Sequence, residues 1–156
     1  MIKNISKKFI IILPILLLSC GFKPISHKNG NEIYFKDINI IGNQKIAYNL
    51  KNSILLSSNK NSNNEYEANI KLNQQKKDKI KDKSGKITRY ELIVSSDFEM
   101  IRINDNKKFK KVFTRSSDYD VAKIHSDTIN NEQKAMKNII QQISNDINNY
   151  IMFIMR

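Results

Sequence analysis

The stretch SDTINNEQKAMKNIIQQISNDINNYIMFI, residues 126–154, decides the fold. Its apolar side chains recur at steps of three, four or seven residues, and polar side chains fill the positions between them. Steps of three and four place side chains on one face of an α-helix. The recurring positions are Ile129, Met136, Ile140, Ile143, Ile147, Ile151 and Ile154. The stretch therefore predicts a long amphipathic helix, which Ser126 or Asp127 is placed to cap by accepting a hydrogen bond from a first-turn amide.

Three upstream segments, in which apolar and polar residues alternate, predict the surface that this helix covers. Alternation with a period of two is typical of a strand with one buried and one wet face. The segments are Tyr66 to Leu72, Thr88 to Ile103 and Lys107 to Asp118. Between the first two, KKDKIKDKSGK at 76–86 predicts a hairpin tip or an extended loop. In the last segment Phe109 and Phe113 share one parity and Val112 has the other, which predicts a bulge or an edge position.

Two further elements precede these strands. EIYFKDINII, residues 32–41, is rich in β-branched and aromatic residues and predicts a strand with an irregularity at Asp37. Ile46, Leu50 and Ile54 recur at steps of four and predict a helix over residues 44–57. The order β-α-β-β-β-α predicts an α+β domain with two layers: a four-stranded, mostly antiparallel sheet and two helices packed on one of its faces.

The first 19 residues have the layout of an export signal. Basic residues are followed by the ten-residue apolar run FIIILPILLL, and the run ends in Leu17-Leu18-Ser19-Cys20. A run of this length is half of the roughly 20 residues that cross a bilayer. Its end resembles the bacterial lipobox, which implies cleavage between Ser19 and Cys20. The chain is thus divided into a signal peptide (1–19), a lipidated N-terminus and flexible tether (20–31), and a single domain (32–156).

Cys20 is the only cysteine of the chain, so an exported form has no intramolecular disulfide. The lipobox resemblance implies instead a thioether-linked diacylglycerol on Cys20, with a further acyl chain on the new amino terminus. Several acyl chains hold a protein stably on a membrane, because each buried CH₂ contributes about 0.8 kcal/mol. The alternative is a free thiol in the tail of an uncleaved anchor. Gly21 rather than aspartate follows Cys20, which by analogy with lipoprotein sorting predicts delivery to the outer membrane.

The charge of the chain favours anionic partners. Its formal net charge is +12, and three of the basic residues but no acidic residue lie in the signal segment, so the remainder carries +9. Such a surface attracts nucleic acid, phospholipid headgroups and anionic glycolipid alike. An export signal argues against nucleic acid, and the aromatic residues do not interleave with the lysines as a base-stacking surface requires.

The sequence offers no set of residues for catalysis, so no enzyme, cofactor or metal is predicted. His125, Ser126 and Asp127 are the residue types of a hydrolase triad, but consecutive residues at a helix start diverge by about 100° each. The other histidine, His27, lies in the tether, and no cluster has metal-ligand spacing. The four glycines are scattered, so no phosphate-binding loop is predicted.

The order and lengths of the elements, together with two local motifs, carry a family resemblance. The mature chain opens with Cys-Gly-Phe-Lys-Pro at 20–24, and Tyr119-Asp120-Val121 runs into the last helix. With these motifs the whole mature chain resembles the lipopolysaccharide-assembly lipoprotein family, LptE. The resemblance implies a plug inside a large outer-membrane β-barrel, LptD, that assists transport of lipopolysaccharide and its insertion at the outer leaflet. The domain is expected in the periplasm or the barrel lumen.

Two basic clusters are the candidate glycolipid contacts. One lies in the loop of the second hairpin and comprises Lys76, Lys77, Lys79, Lys81 and Lys83. The other lies on the fourth strand and comprises Lys107, Lys108, Lys110, Lys111 and Arg115. The alternative for each cluster is a set of solubilising charges, since charge runs are usually solvated. The alternative function is a lipoprotein that braces another envelope complex without binding glycolipid.

Overall fold

The computed structural model describes residues 33–155 and contains six elements in the predicted order. These are β1 (Tyr34–Ile41), α1 (Gln44–Leu55), β2 (Glu65–Lys81), β3 (Ile87–Arg102), β4 (Lys108–Asp120) and α2 (His125–Ile154). The α+β fold class is therefore confirmed. The predictions for the signal segment, for cleavage at Ser19 and Cys20, and for the tether concern residues outside the described range.

The four strands form one sheet in the order β1-β2-β3-β4. β1 runs parallel to β2, and the other two pairs are antiparallel. The register of β1 shifts between Phe35 and Asp37, which confirms the predicted irregularity. The extra residue restores alternation: Phe35 and Ile38, three positions apart, both lie buried.

The hairpin of β2 and β3 is longer than predicted, and the interpretation of residues 76–86 as a loop is wrong for most of that segment. β2 continues to Lys81, which pairs with Ile87, so only residues 82–86 turn the chain. In that turn Asp82 Oδ1 accepts hydrogen bonds from the backbone of Ser84 and Lys86. Lysines in alternation are compatible with a strand when the neighbouring strand supplies the backbone partners, as β3 does here.

Both helices cover one face of the sheet, which we call the inner face; the opposite, uncovered face is the outer face. From α2, Ile139, Ile143 and Ile147 are fully buried, and from α1 so are Leu50 and Ile54. Burying one such side chain stabilises the fold by about 1.5–3 kcal/mol. The inner face of the sheet contributes Tyr66, Ala68, Ile70, Leu92, Val94, Phe98 and Met100. Phe98, Phe113 and Tyr150 join β3, β4 and α2 through ring contacts at 6.0–6.3 Å.

Two details of α2 differ from the sequence prediction. The helix begins at His125 with Ile124 in the cap position, which has no side-chain hydrogen bond, so the capping roles of Ser126 and Asp127 are wrong. Thr128 Oγ1 instead accepts a hydrogen bond from the Ala122 backbone and ties the preceding turn to the helix. Ile129 is 42% exposed, so the buried stripe begins one to two turns later, at Ala135.

β4 is an edge strand, as one of the two readings of its imperfect alternation predicted. It pairs with β3 without a register shift, so the alternative of a bulge is wrong. Phe113 is buried on the inner face, whereas Val112 lies on the outer face and is 60% exposed. No helix in residues 33–155 combines the length and apolar character that a bilayer crossing needs.

Candidate functional site

The lysines of the β2–β3 hairpin do not form one surface. Alternation along β2 directs Lys76 to the inner face, where its Nζ lies 3.0 Å from Glu132 Oε2 of α2. Lys79 is on the outer face, and its Nζ lies 2.7 Å from Asp118 of β4. Lys81 pairs with Asp78 at 3.4 Å. Three of the five predicted contacts are therefore neutralised by carboxylates within the fold, and only Lys77 and Lys83 have no ion pair among the residues described.

Lys76 belongs to a partly buried cluster at the base of the hairpin. Its Nζ lies 4.3 Å from the centroid of the Tyr90 ring, which stacks on Tyr119 at 5.5 Å. The Tyr119 hydroxyl donates a 2.8 Å hydrogen bond to Glu132. Partial burial disfavours the ionised carboxyl, but the hydrogen bonds from Tyr119 and Lys76 and the charge of Lys76 outweigh it, and the pKa of Glu132 is lowered. The cluster ties the hairpin to α2 through Lys76, Tyr119 and Glu132.

The basic residues of β4 divide between the two faces of the sheet. Lys108 and Lys110 lie on the outer face, and Lys110 pairs with Glu99 of β3 at 2.8 Å. The hydrogen bond from Lys110 lowers the pKa of Glu99. Lys107 lies in the turn before β4, with its Nζ 5.4 Å from the centroid of Phe109. Lys111 and Arg115 lie on the inner face. A single glycolipid surface made from the whole predicted cluster is therefore excluded by strand geometry.

Lys111 and Arg115 are brought together in an open groove between β4 and α2, which we call the β4–α2 groove. Its volume is about 490 Å³. Charged and aromatic side chains line it: Lys111, Phe113, Arg115, Asp146, Tyr150 and Phe153. The Lys111 ammonium lies 4.9 Å from the Tyr150 ring centroid and has no ion pair within residues 33–155. Phe153 is 74% exposed.

Arg115 and Asp146 close one side of this groove. The guanidinium donates two hydrogen bonds to the carboxylate, at 2.6 and 2.8 Å. These hydrogen bonds, with the charge of Arg115, lower the pKa of Asp146. Arg115 is thus committed to α2, and Lys111 is the cation of the groove that remains available to a ligand. The groove combines one available cation with exposed aromatic surface, which suits an anionic amphiphile.

The α2 side of the groove could not be inferred from the sequence. Asp146 occupies the polar side of the helical pattern, and Phe153 lies near its end. Nothing in the periodicity of α2 indicates that these two side chains face β4, because that depends on how the helix is rotated against the sheet. The sequence did indicate the β4 side of the groove, because residues two apart in a strand lie on the same face. Lys111, Phe113 and Arg115 are spaced in this way.

A second depression lies on the outer face, with a volume of about 410 Å³. Ile41 of β1 and Val112 of β4 bound it, and they are 62% and 60% exposed. Between them lie two basic and two acidic side chains: Lys71, Asp97, Glu99 and Lys110. This face is mixed in charge rather than basic, so it has no preference for anions.

His125, Ser126 and Asp127 are consecutive exposed residues at the start of α2. Among residues 33–155, no three His, Cys, Asp or Glu side chains converge as a metal site requires. Cys20, the predicted lipid attachment, lies outside these residues.

Comparison with known proteins identifies the fold. No protein-family model and no curated protein matches the sequence. Among solved structures, the fold is similar to that of a candidate lipoprotein from Caulobacter crescentus CB15, with a TM-score of 0.57 and 16% identity over 80% of this chain and 90% of the other. Lipoprotein B from Nitrosomonas europaea matches with a TM-score of 0.52 and 13% identity over 75% and 83%. A minor lipoprotein from Acinetobacter baumannii matches with 0.51 and 13% over 77% and 94%.

Proposed function

We propose that this chain is an outer-membrane lipoprotein that assembles with a large β-barrel translocon of the LptD type and assists lipopolysaccharide transport to the outer leaflet. The observation that carries the proposal is the shared fold: three solved proteins with the same architecture are described as lipoproteins or a candidate lipoprotein, and at least 83% of each is matched. Independently of the fold, the sequence opens with a signal-like segment that ends at Cys20.

The distance from Cys20 to the domain is compatible with a protein that works at the membrane surface. Eleven residues, 21–31, separate the acylated position from residue 32, where the predicted domain starts. An extended chain advances at most about 3.3–3.6 Å per residue, so these residues reach at most about 40 Å. An acyl anchor on Cys20 would therefore keep the domain within that distance of the membrane, which supports the proposal of a membrane-embedded partner.

The surface of the domain suits the interior of a wet barrel. Its outer face carries ion pairs that cross from strand to strand, including Lys79 with Asp118 and Lys110 with Glu99. The lumen of a large outer-membrane barrel is polar and can hold a plug. Copurification tests this step: the full chain, solubilised from outer membranes with a mild detergent, is expected to carry a large β-barrel protein in a fixed ratio. Recovery without any barrel would contradict the partnership.

Within this proposal the β4–α2 groove is the glycolipid contact. Lys111 supplies the available cation for a phosphate, and Tyr150 and Phe153 supply aromatic surface for the adjoining apolar part. Lys111→Glu is expected to weaken lipopolysaccharide binding by at least about tenfold, since it replaces a charge-assisted contact with repulsion.

The matched control for this experiment is Lys77→Glu. Lys77 is also exposed and without an ion pair within residues 33–155, but it lies on the hairpin, away from the groove. Equal weakening by both variants would indicate only a response to net charge. Unchanged binding by Lys111→Glu would show that the β4–α2 groove is not the glycolipid contact. The barrel partnership would be unaffected, because the copurification experiment tests it separately.

One observation favours the alternative, a lipoprotein that braces an envelope complex without touching glycolipid. Five of the ten predicted basic contacts already pair with carboxylates within the fold. If the chain copurifies with a barrel and yet shows no measurable lipopolysaccharide binding, the alternative function holds.

A further inference from the structure

Several parts of the fold meet at one end of the sheet, where the described chain begins at Ile33. Asn59, in the loop between α1 and β2, donates a 2.8 Å backbone hydrogen bond to the Ile33 carbonyl. Ile103, in the turn between β3 and β4, donates one to the first residue of β2. Met155, which follows α2, lies with its Sδ 3.4 Å from the Tyr66 hydroxyl. We call this end, formed by the start of β1, the α1–β2 loop, the β3–β4 turn and the last turns of both helices, the tether end.

The tether end exposes apolar side chains that the fold does not cover. Leu56, directly after α1, is 87% exposed, and Phe153, in the last turn of α2, is 74% exposed. These are the two most exposed large apolar side chains among residues 33–155. Leu55 and Met152 precede them in the sequence and are 39% and 47% exposed. Apolar residues scattered singly over a surface are ordinary, but here the ends of both helices present them at the same end of the domain, which suits an apolar partner.

Little charge surrounds this apolar surface. Residues 57–64, SSNKNSNN, contain one charged side chain, that of Lys60. In the β3–β4 turn Lys107 is exposed, and Asp105 pairs with Arg102 at 3.2 Å. Contact through the apolar side chains therefore separates no ion pair among residues 33–155. The surrounding hydroxyl, amide and ammonium groups are compatible with a layer of lipid headgroups.

We infer that the tether end rests on the phospholipid leaflet that holds the acylated Cys20, with Leu56, Met152 and Phe153 inserted at the boundary between headgroups and acyl chains. This inference rests on the lipid anchor of the proposed function. The chain outside the described residues identifies lipid as the partner, because the segment between Cys20 and Ile33 reaches at most about 45 Å when extended. The turn of the β2–β3 hairpin lies about 50 Å from the tether end, along the 17 residues of β2. An acyl anchor therefore holds the tether end, and not the hairpin turn, next to the leaflet.

Contact through the ends of two helices also determines how the domain stands on the leaflet. Both helices run toward the tether end: α1 is followed by Asn59, which contacts Ile33, and α2 by Met155, which contacts Tyr66. Apolar side chains of an interfacial element enter the headgroup–acyl boundary by about 5–10 Å. Insertion at both helix ends therefore directs the sheet away from the membrane, with the hairpin turn farthest from the lipid.

The β4–α2 groove remains open to a ligand in this arrangement. Its available cation, Lys111, lies three residues after Lys108, the first residue of β4, and so about 10 Å from the tether end. Phe153 lines the groove on the side nearest the leaflet, whereas Asp146 lines it about two helical turns farther away. The groove thus opens sideways above the lipid surface, where an anionic amphiphile of the same membrane is within reach.

Tryptophan fluorescence of the acylated chain tests the contact, because the sequence contains no tryptophan and a single introduced one reports its own surroundings. Leu56→Trp and Met152→Trp place the reporter at the tether end. Ile124→Trp is the matched control: this side chain is 62% exposed, and the nearby Val121 bonds Thr88, next to the hairpin turn at the opposite end. Each variant, expressed as the full chain and isolated from membranes with its acyl groups, is reconstituted into vesicles of phosphatidylcholine and phosphatidylglycerol. The vesicles are prepared with and without bromine on the lipid acyl chains, since bromine quenches tryptophan on contact.

Emission at positions 56 and 152 is expected to shift to shorter wavelength and to be quenched at least about twofold more strongly than at position 124, because inserted side chains lie about 5–10 Å within the boundary. Equal quenching at all three positions, in a chain that floats with the vesicles, would overturn the contact and leave the lipid anchor standing. A shift at positions 56 and 152 without quenching by bromine would show that a second copy of the chain covers this end, and would also overturn the contact.

A chain that does not float with the vesicles would overturn the lipid anchor and the contact together. The vesicles contain neither a barrel nor lipopolysaccharide, so the barrel partnership and the glycolipid contact keep their own tests.

Discussion

The two halves of β2 are stabilised in different ways, although they belong to one continuous strand. In the first half, Tyr66, Ala68 and Ile70 are buried beneath the helices. In the second half, residues 73–81, no residue is buried. The first half is held by apolar area that α1 and α2 cover, and the second by pairing with β3 and by side-chain contacts such as that of Lys76 with Glu132. A strand can therefore extend well beyond the hydrophobic core when the strand that pairs with it is equally long.

The two halves of β2 are expected to differ most in the free energy of unfolding that is lost when an apolar side chain in or beside each half is truncated to alanine. Phe98, which is 2% exposed and contacts Phe113 and Tyr150, lies opposite Ile70 in the first region. Phe98→Ala is expected to lower the free energy of unfolding by about 3–5 kcal/mol, through lost burial and the cavity that remains. Ile80→Ala in the second region, at a side chain 45% exposed, is expected to cost less than about 1 kcal/mol. Urea denaturation measures both, and similar losses would show that the second region also has a packed core.

Alanine substitution of two glycines tests the same difference between the two halves of β2. Gly42, at φ 144°, lies against the first region, and a Cβ there would be 2.9 Å from Leu72 Cβ. Gly85, at φ 83°, lies in the hairpin turn and a Cβ there meets nothing within 4 Å. Gly42→Ala is expected to cost about 2–4 kcal/mol, from overpacking added to backbone strain. Gly85→Ala is expected to lower the free energy of unfolding by only about 1 kcal/mol, because it adds backbone strain without overpacking. A larger loss at Gly85 than at Gly42 in thermal unfolding would contradict this assignment.

The smallest expected change in stability comes from substituting Glu132, the residue of α2 that pairs with Lys76 in the second half of β2. Glu132→Gln is expected to cost about 1 kcal/mol at neutral pH, because Lys76 loses its carboxylate partner. The pKa of Glu132 is lowered by folding, so its contribution is present above the ordinary carboxyl value of 4.5 and is lost as the pH falls through the lowered value. The unfolding free energy of the variant should therefore fall less steeply below pH 4.5 than that of the parent chain.

Glu67→Gln is the control for this pH dependence. Glu67 is exposed on the outer face and has no ion pair among the residues described. Denaturation midpoints between pH 2.5 and 7 should follow the parent chain for this variant. A parallel pH dependence for Glu132→Gln and Glu67→Gln would mean that the Lys76 cluster does not stabilise the hairpin.

Alternation and helical periodicity predicted the elements because each records which face is buried. The period of two in β3 and the stripe in α2 survive in the structure, with Leu92, Phe98 and Ile143 all buried. The irregularity at Asp37 was also visible, since the apolar residues change parity there. The parallel pairing of β1 with β2 was not, because local patterns contain no information on strand order.

The errors have physical causes of the same kind. Residues 76–81 lack the apolar alternation that signals a strand, because their pairing is stabilised by β3 rather than by burial. The lysine clusters were defined by closeness in sequence, whereas a strand separates neighbours such as Lys110 and Lys111 onto opposite faces. The pairing of Arg115 with Asp146, 31 residues apart, depends on the packing of α2 against β4.

The central claim is that the domain works at a membrane to which Cys20 anchors it, and intact mass measures this most directly. The full 156-residue chain would be expressed in a bacterium with an outer membrane and isolated from the membrane fraction. We expect a mass that lacks residues 1–19 and is increased by the diacylglycerol and further acyl group on Cys20. A mass equal to that of the complete, unmodified chain would contradict the anchor and, with it, the outer-membrane assembly role.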